Sequence, residues 1–272
     1  MTRTLCLLWL LSSTVFGQEN WKRPFPAHKI AGNLFYVGTE DLACFLITTP
    51  EGHILVNTGL ADSTPLIRAG IEKLGYKVGD IKILLTMQAH FDHVAAMAEI
   101  QRLSGAKVYA TEPDAPAMED GGKSDPVFNA PSQLYAPIRV DRRLKDGDVV
   151  KLGGSVLRVH LTPGHTKGSA GYSMTVNEGA KKLNVLIVNL GTAVMPLVNN
   201  QNYPEIAKDF AKSFELQKKL APDIWVAAHA SQYSMQEKLK AGSFVDPAGY
   251  KVAIERYEKM FREKLAAESS KH

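Results

Sequence analysis

The hydrophobic and polar positions along the chain predict short strands first and then strands mixed with helices. Short continuous apolar segments, bounded by Gly, Asn and charged residues, are typical of buried strands. Apolar residues at helical spacing, such as Leu66, Ile67, Ile71 and Leu74, are typical of a helix with one buried face. This order of elements favours an α/β fold with sheets in the middle and helices on the outside.

The predicted elements extend over most of the chain. The predicted strands are Leu34–Val37, Cys44–Thr48, His53–Asn57, Ile81–Thr86, Val156–Leu161, Gly171–Thr175, Leu183–Val188 and Ile224–Ala228. The predicted helices are Ser63–Leu74, Val94–Leu103, Pro204–Leu220 and Pro247–Ala267. Between them, Thr111–Leu144 is rich in Pro, Asp and Gly and is the longest irregular segment. Such a long loop in a compact domain is usually functional or mobile.

Length and composition are those of an ordinary globular protein. The chain has 272 residues, of which 45% are hydrophobic and 22% are charged, and this excludes a disordered chain, a collagen-like repeat and a small disulfide-rich scaffold. Lys and Arg total 32 and Asp and Glu total 28, so the net charge is only +4, and the charges are interspersed. A nucleic-acid partner is therefore not expected.

The N-terminal residues have the pattern of a secretory signal peptide. Arg3 supplies the positive charge, an apolar run follows, and small residues precede a predicted cleavage site after Gly17. The apolar run is too short to span a bilayer, and a buried N-terminal helix is the alternative interpretation. We therefore predict that residues 1–17 are a signal peptide and that residues 18–272 form a single domain in the periplasm, free of the membrane. Cys44 would then be the single, buried cysteine.

The strongest chemical signal is the segment Gln88-Ala89-His90-Phe91-Asp92-His93, which directly follows a predicted strand. Two later histidines, His165 and His229, also follow apolar strands. Imidazoles and a carboxylate at the ends of neighbouring strands are ligands that suit zinc. Each histidine taken singly would more often be a core or surface residue, but the whole set predicts a metal site.

At these residues the chain resembles the metallo-β-lactamase superfamily, whose signature is His-x-His-x-Asp-His. The resemblance covers about residues 27–265 and is closest to subclass B3, specifically to the GOB-type enzymes that have Gln in the first ligand position. The stretches Val56–Leu60, Asp120–Asp125 and Ile224–Gln232 support this closer match. The resemblance implies a four-layer αβ/βα sandwich of two mixed sheets with helices on the outer faces and a dinuclear zinc site at one edge.

Carried over residue by residue, the resemblance implies two Zn²⁺ sites. The Gln88 site would consist of Gln88, His90 and His165, and the Asp92 site of Asp92, His93 and His229. A carboxamide oxygen is a poorer zinc ligand than imidazole, so the Gln88 site is expected to bind weakly, and Gln88 could instead point away from the metal. Zinc in the Asp92 site alone would still have three protein ligands and an open position.

The resemblance implies hydrolysis of the β-lactam amide of penicillins, cephalosporins and carbapenems, and hence antibiotic resistance. Zinc-activated hydroxide would be the nucleophile, and Asp92 would orient it. Asn57 stands where many members have an Asp that orients a zinc-bound histidine. Thr192 is the implied contact to the substrate carboxylate, with a strand-end cap as its alternative. Asn199 is a candidate for polarising a carbonyl, although Asn is common in turns.

Two other functions stay open at this point. The chain could be a zinc hydrolase of the same fold that acts on a lactone or a thioester. Many of those enzymes have a metal-bridging Asp after a later strand, whereas Val188–Thr192 contains no carboxylate. The chain could also be a secreted protein that binds metal without catalysis, but zinc storage does not need a carboxylate such as Asp92. The expected partner is a small-molecule β-lactam, and a monomer is expected.

Overall fold

The computed structural model describes residues 19–271, and the predicted signal peptide lies outside the described residues. The strands are His28–Ala31 (β1), Leu34–Tyr36 (β2), Phe45–Thr49 (β3), Gly52–Val56 (β4), Ile81–Leu85 (β5), Lys107–Thr111 (β6), Val140–Leu144 (β7), Val149–Leu152 (β8), Ser155–Leu161 (β9), Ala170–Glu178 (β10), Lys181–Val188 (β11) and Ile224–Ala227 (β12). The helices are Thr64–Lys73 (α1), Phe91–Val94 (α2), Met97–Ser104 (α3), Ala115–Glu119 (α4), Ile206–Lys219 (α5), Met235–Ala241 (α6) and Pro247–Ser269 (α7). Among these described helices, none combines the length and apolar character needed to cross a membrane.

The first sheet contains strands β1 to β7 in sequence order. Strands β1 to β4 pair antiparallel, and β4 to β7 pair parallel. Both faces of its central strands are buried, which explains their continuous apolar sequences. In β3, Phe45 and Ile47 belong to the core between the sheets, whereas Leu46 belongs to a second buried cluster with Ile67 of α1 and Ile100 of α3.

The second sheet has the strand order β12-β11-β10-β9-β8, with β11 and β12 parallel and the other pairs antiparallel. Helices α5 and α7 pack against each other, with the rings of Phe210 and Phe261 stacked 5.4 Å apart between centroids. Both rings belong to the same apolar core as Val185 and Trp225 of this sheet. The result is helix, sheet, sheet, helix, which confirms the predicted four-layer sandwich.

Each predicted strand and helix has a counterpart at nearly the same position, and Cys44 is buried as predicted. The strands β1, β6, β7 and β8 and the helices α2, α4 and α6 were not predicted. The interpretation of residues 111–144 as irregular was wrong in part, since α4 and β7 lie within them. Strand β7 has the sequence VDRRL and is mostly exposed at the sheet edge, so it lacks the apolar pattern of a buried strand.

Candidate metal centre

The predicted ligands meet at one edge of the two sheets, because each follows a strand that ends there. Residues 88–93 follow β5 and include the short helix α2. His165 lies in the turn between β9 and β10, and His229 directly follows β12. Two backbone contacts hold these segments together: Ala170 donates its N–H to the Met87 carbonyl at 2.9 Å, and His229 forms a β-bridge with Leu42.

The Asp92 site is a compact group of three side chains. The Oδ2 of Asp92 lies 3.2 Å from Nε2 of His93 and 3.6 Å from Nε2 of His229. One potential ligand atom from each of the three residues lies within 4.8 Å of the others. This spacing allows all three atoms to bind the same metal ion.

One atom of this group has the environment expected of a metal ligand. The Nε2 of His93 is buried and, although it lies 3.2 Å from the Asp92 carboxylate, makes no well-aligned hydrogen bond among the described residues. Leaving such a group unsatisfied costs about 1–3 kcal/mol, and a metal bond removes that cost. Burial opposes ionisation of Asp92, but the neighbouring His93 and His229 lower the pKa of its carboxyl below its usual range. Asp92 is therefore an anion at neutral pH, as a zinc ligand must be.

The Gln88 site contains two imidazoles in contact. Nδ1 of His90 lies 3.1 Å from Nε2 of His165, and Nδ1 of His165 donates a hydrogen bond to the carbonyl oxygen of Thr192 at 2.6 Å. That bond fixes the tautomer that leaves Nε2 of His165 unprotonated. Burial lowers the pKa of His165 to about 4 and that of His90 well below its usual value, so both rings are neutral and available as ligands at pH 7.

Gln88 is buried, and its carboxamide has a fixed orientation. Asn189, which follows β11, donates from Nδ2 to Oε1 of Gln88 at 3.1 Å and also to the carbonyl of Met87 at 2.9 Å. A carboxamide oxygen can accept a second bond, so this contact leaves a lone pair of Gln88 available to a metal. Neither Asn189 nor its role could be identified from the sequence pattern.

Asp41 binds the Nδ1 side of the His229 ring, and the sequence analysis did not identify this residue. Its Oδ2 accepts from Nδ1 of His229 at 2.9 Å and from Nε1 of Trp21 at 3.2 Å, while its Oδ1 accepts from the N–H of Ser231 at 2.9 Å. Burial would raise the pKa of Asp41, but the hydrogen bond with His229 outweighs it and lowers the pKa to about 2. Burial likewise opposes the charged form of His229, and Asp41 and Asp92 together raise the pKa of that ring.

Asn57 contacts His93 in the orientation opposite to the expected one. Its amide nitrogen, Nδ2, lies 3.4 Å from Nδ1 of His93. Its Oδ1, which we expected to accept from the ring, instead accepts the N–H of Met87 at 3.0 Å. Asn57 has a φ of 62°, in the left-handed region that Asn tolerates better than most residues.

A cavity of about 530 Å³ lies beside the Gln88 site, a size typical of small-ligand pockets. His90 and His165 are among its lining residues, as are Lys123, Lys167 and Tyr203. Thr192 is exposed and contacts His165 through its backbone carbonyl.

Asn199, the predicted substrate contact, is not among the residues that line this cavity, and its role stays a prediction. Asn199 is exposed and has a φ of 55°. The neighbouring Asn202 lines the cavity instead.

Comparison with known proteins agrees with this geometry. The sequence pattern of the metallo-beta-lactamase superfamily matches residues 38–176. The solved class B3 di-zinc metallo-beta-lactamase LRA-12 from an Alaskan soil metagenome is 45% identical, with a TM-score of 0.86, over 90% of this chain and 96% of that one. The metallo-beta-lactamase GOB-18 from Elizabethkingia meningoseptica is 40% identical, with a TM-score of 0.86, over 92% and 95% of the two chains. BJP-1, a subclass B3 metallo-beta-lactamase of Bradyrhizobium japonicum, is 33% identical, with a TM-score of 0.88, over 93% and 98%.

The curated relatives give a more distant match. The hydroxyacylglutathione hydrolase of Rhodopseudomonas palustris (strain BisB5) is 32% identical over 129 residues, which are 47% of this chain and 41% of that protein. The match spans about two fifths of the length of these relatives.

The fold and the site together define the class, and the chain belongs to the metallo-β-lactamase superfamily. Within that superfamily it is similar to the subclass B3 enzymes, including GOB-18, as the sequence resemblance indicated.

Proposed function

We propose that this protein is a zinc-dependent β-lactamase of subclass B3 that hydrolyses the amide bond of penicillins, cephalosporins and carbapenems and so confers antibiotic resistance. The principal support is that two groups of potential metal ligands lie next to each other: the three residues of the Asp92 site, and His90 with His165. Similarity at 45% identity to a class B3 di-zinc enzyme, over nearly the full length of both chains, supports the same assignment. The proposal includes two zinc ions, of which the one in the Gln88 site would be bound more weakly.

The stretch after β11 favours a lactamase over a hydrolase with a bridging carboxylate, because Val188–Thr192 contains no Asp or Glu. A Cβ atom added at Gly191 would lie 2.2 Å from Cβ and 2.4 Å from Cγ of His165. Any side chain at Gly191 would therefore displace His165. Asn189, in the same stretch, donates its side-chain hydrogen bond to Gln88.

Zinc supplies Lewis-acid chemistry: it lowers the pKa of a bound water to about 7 and polarises the carbonyl under attack. The chain supplies the remaining functions. The Asp92 carboxylate can accept a hydrogen bond from the attacking water and so orient it. The neutral rings of the buried His90 and the half-buried His165 keep their lone pairs free at neutral pH. Lys123 and Lys167 line the cavity beside them and can attract the carboxylate that β-lactams carry.

The test is loss of a carbapenem's ultraviolet chromophore with the purified protein, before and after zinc chelation. We expect turnover that stops on chelation and returns with added zinc. Asp92→Asn should abolish it, whereas His160→Gln should not. His160 contacts Ser173 and serves as a control outside the metal centre. No turnover by protein shown to contain zinc would contradict the proposal.

The second candidate is hydrolysis of a thioester or a lactone, which the similarity to hydroxyacylglutathione hydrolases supports. A glutathione thioester and a lactone should be assayed beside the carbapenem. Turnover of either one, with none of the lactam, would favour this candidate.

We further propose that the mature protein is a periplasmic monomer released by cleavage after Gly17. Mass spectrometry of the periplasmic fraction should then give a chain that begins at Gln18, and light scattering should give the mass of one chain. A full-length chain in the membrane fraction would contradict the cleavage.

A further inference from the structure

The segment 120–125 places a buried carboxylate behind His90. Gly121 and Gly122 have φ values of 77° and 89°, which favour glycine, and a Cβ at Gly121 would lie 2.4 Å from the carbonyl oxygen of Tyr135. The tight turn is closed by Asp125, whose N–H donates to the carbonyl of Gly122 at 3.2 Å. The glycines thus allow Asp125 to reach the interior.

The two carboxylate oxygens of Asp125 have separate partners. Oδ1 accepts from the N–H groups of Val127 and Phe128 at 2.8 and 2.9 Å, which fixes the plane of the carboxylate. Oδ2 lies 3.4 Å from Nε2 of His90, and the side chains of His90 and Asp125 are only 2% and 5% exposed. The Phe128 ring packs edge-on against the His90 ring, with 4.6 Å between the ring centroids.

This arrangement assigns the two nitrogens of His90 to different tasks. A carboxylate at Nε2 favours the tautomer that carries its proton there. Nδ1 is then left unprotonated, and it is the atom that faces His165 at 3.1 Å. A carboxylate in this position also raises the basicity of the ring as a metal ligand.

The charge distribution makes this contact important. The Gln88 site has only neutral ligands, whereas the Asp92 site has the Asp92 carboxylate and, behind His229, that of Asp41. Gln88 is also a weaker donor than imidazole. The affinity of the Gln88 site therefore depends on its two imidazoles, and Asp125 is the carboxylate that contacts one of them.

We propose that Asp125 is a positioning residue that determines zinc occupancy of the Gln88 site by holding His90 in its Nε2–H form. This inference rests on the proposed function in taking both groups as zinc sites, but it requires no particular substrate.

The test is zinc titration of metal-depleted protein against a chromophoric chelator, which resolves the two dissociation constants without any turnover. Asp125→Asn should raise the dissociation constant of the Gln88 site about 10- to 100-fold. That of the Asp92 site should stay unchanged. Asp120→Asn is the matched control: it removes a charge from the same loop, where Asp120 accepts the N–H of Ser124 at 3.0 Å. An unchanged constant for the Gln88 site, or an equal effect of both variants, would overturn the proposal.

A second measurement on the unsubstituted protein does not depend on how the variants fold. In the zinc-loaded protein, ¹⁵N NMR of the His90 ring should show the proton on Nε2. A proton on Nδ1 would overturn the proposal. Failure of β-lactam hydrolysis would leave both of these results intact and would count against the proposed function alone.

Discussion

The Nδ1 atom of His229 lies 2.9 Å from Oδ2 of Asp41, a residue 188 positions earlier in the chain. The contact joins the end of β12 in the second sheet to the segment between β2 and β3 in the first. Because Asp41 also accepts from Ser231 and Trp21, its carboxylate is fixed independently of the metal. His229 is thereby held with Nε2 directed at Asp92.

Substitution of Asp41 should therefore weaken the Asp92 site selectively. Asp41→Asn removes the charge that raises the basicity of His229, and losing such a partner typically costs about 10- to 100-fold in metal affinity. Zinc titration should show this loss in the Asp92 site and little change in the Gln88 site. Asp62→Asn, at an exposed carboxylate paired with Lys22, serves as the control. Equal effects of the two variants would contradict a positioning role.

Replacing Gln88 by His should strengthen the Gln88 site, since imidazole is a better zinc ligand than a carboxamide. We expect a gain of about tenfold or more, the scale on which changes around a metal act. Asn189→Ala, introduced into the protein that keeps Gln88, should weaken zinc binding at the Gln88 site. The substitution removes the hydrogen bond that Asn189 donates to the Gln88 side chain. If Gln88→Ala leaves the zinc stoichiometry and both affinities unchanged, Gln88 does not bind the metal.

Asp114 should make stability depend on pH. Its buried carboxylate accepts from Ala89 and Gly168 N–H groups and from the Thr166 hydroxyl, at 2.7 to 3.0 Å, and so connects the segments that carry Gln88, His90 and His165. Burial raises its pKa from 3.8 to about 6. The folded state therefore holds this proton more tightly than the unfolded state does.

The resulting stabilisation is complete below about pH 4 and is lost as the pH rises through about 6, a change on the order of 3 kcal/mol. Urea unfolding of metal-free protein and of Asp114→Asn across this range should show the wild-type advantage shrinking with pH. A difference that is constant or grows with pH would contradict this assignment.

Asp246 should stabilise the C-terminal helix and the sheet beneath it. It accepts the N–H of Gly249 at 2.9 Å as the N-cap of α7 and forms an ion pair with the buried Lys238 at 2.9 Å. The Lys238 ammonium also lies 4.1 Å above the Trp225 ring. Asp246→Ala should cost about 1–3 kcal/mol in free energy of unfolding. Asp246→Asn keeps a cap and should cost less; an equal cost for both would show that the cap contributes nothing.

The stabilisation by the Asp246 carboxylate should be lost at acidic pH. Burial opposes its ionisation, but Lys238 and the Gly249 N–H outweigh burial and lower the pKa of Asp246. The stabilisation from Asp246 is fully present above the pKa of the unfolded state and is lost as the pH falls through the lower pKa of the folded state.

Sequence reasoning located the elements that carry their own apolar pattern. Strands such as β5 and β11 are continuous apolar runs, and the six candidate ligands stand directly after such strands or beside them. Strand β7 was not predicted, because three of its residues are charged and exposed. Its pairing with β6 is a tertiary contact that cannot be predicted from the local sequence pattern.

The residues that orient the ligands were harder to find for the same reason. Asp41 and Asn189 belong to no motif, and their function depends on contacts across 188 and 101 positions of the chain. Asp125 lies in a stretch that the resemblance marked, but only the fold shows that its carboxylate faces His90.

Each predicted zinc site takes ligands from both halves of the sandwich. Gln88 and His90, like Asp92 and His93, follow the first sheet, whereas His165 and His229 follow strands of the second. A bound ion would thus connect the two halves of the sandwich, and its binding free energy would add to the free energy of unfolding. Zinc depletion should consequently lower the resistance of the protein to heat and to proteases, whatever reaction it catalyses.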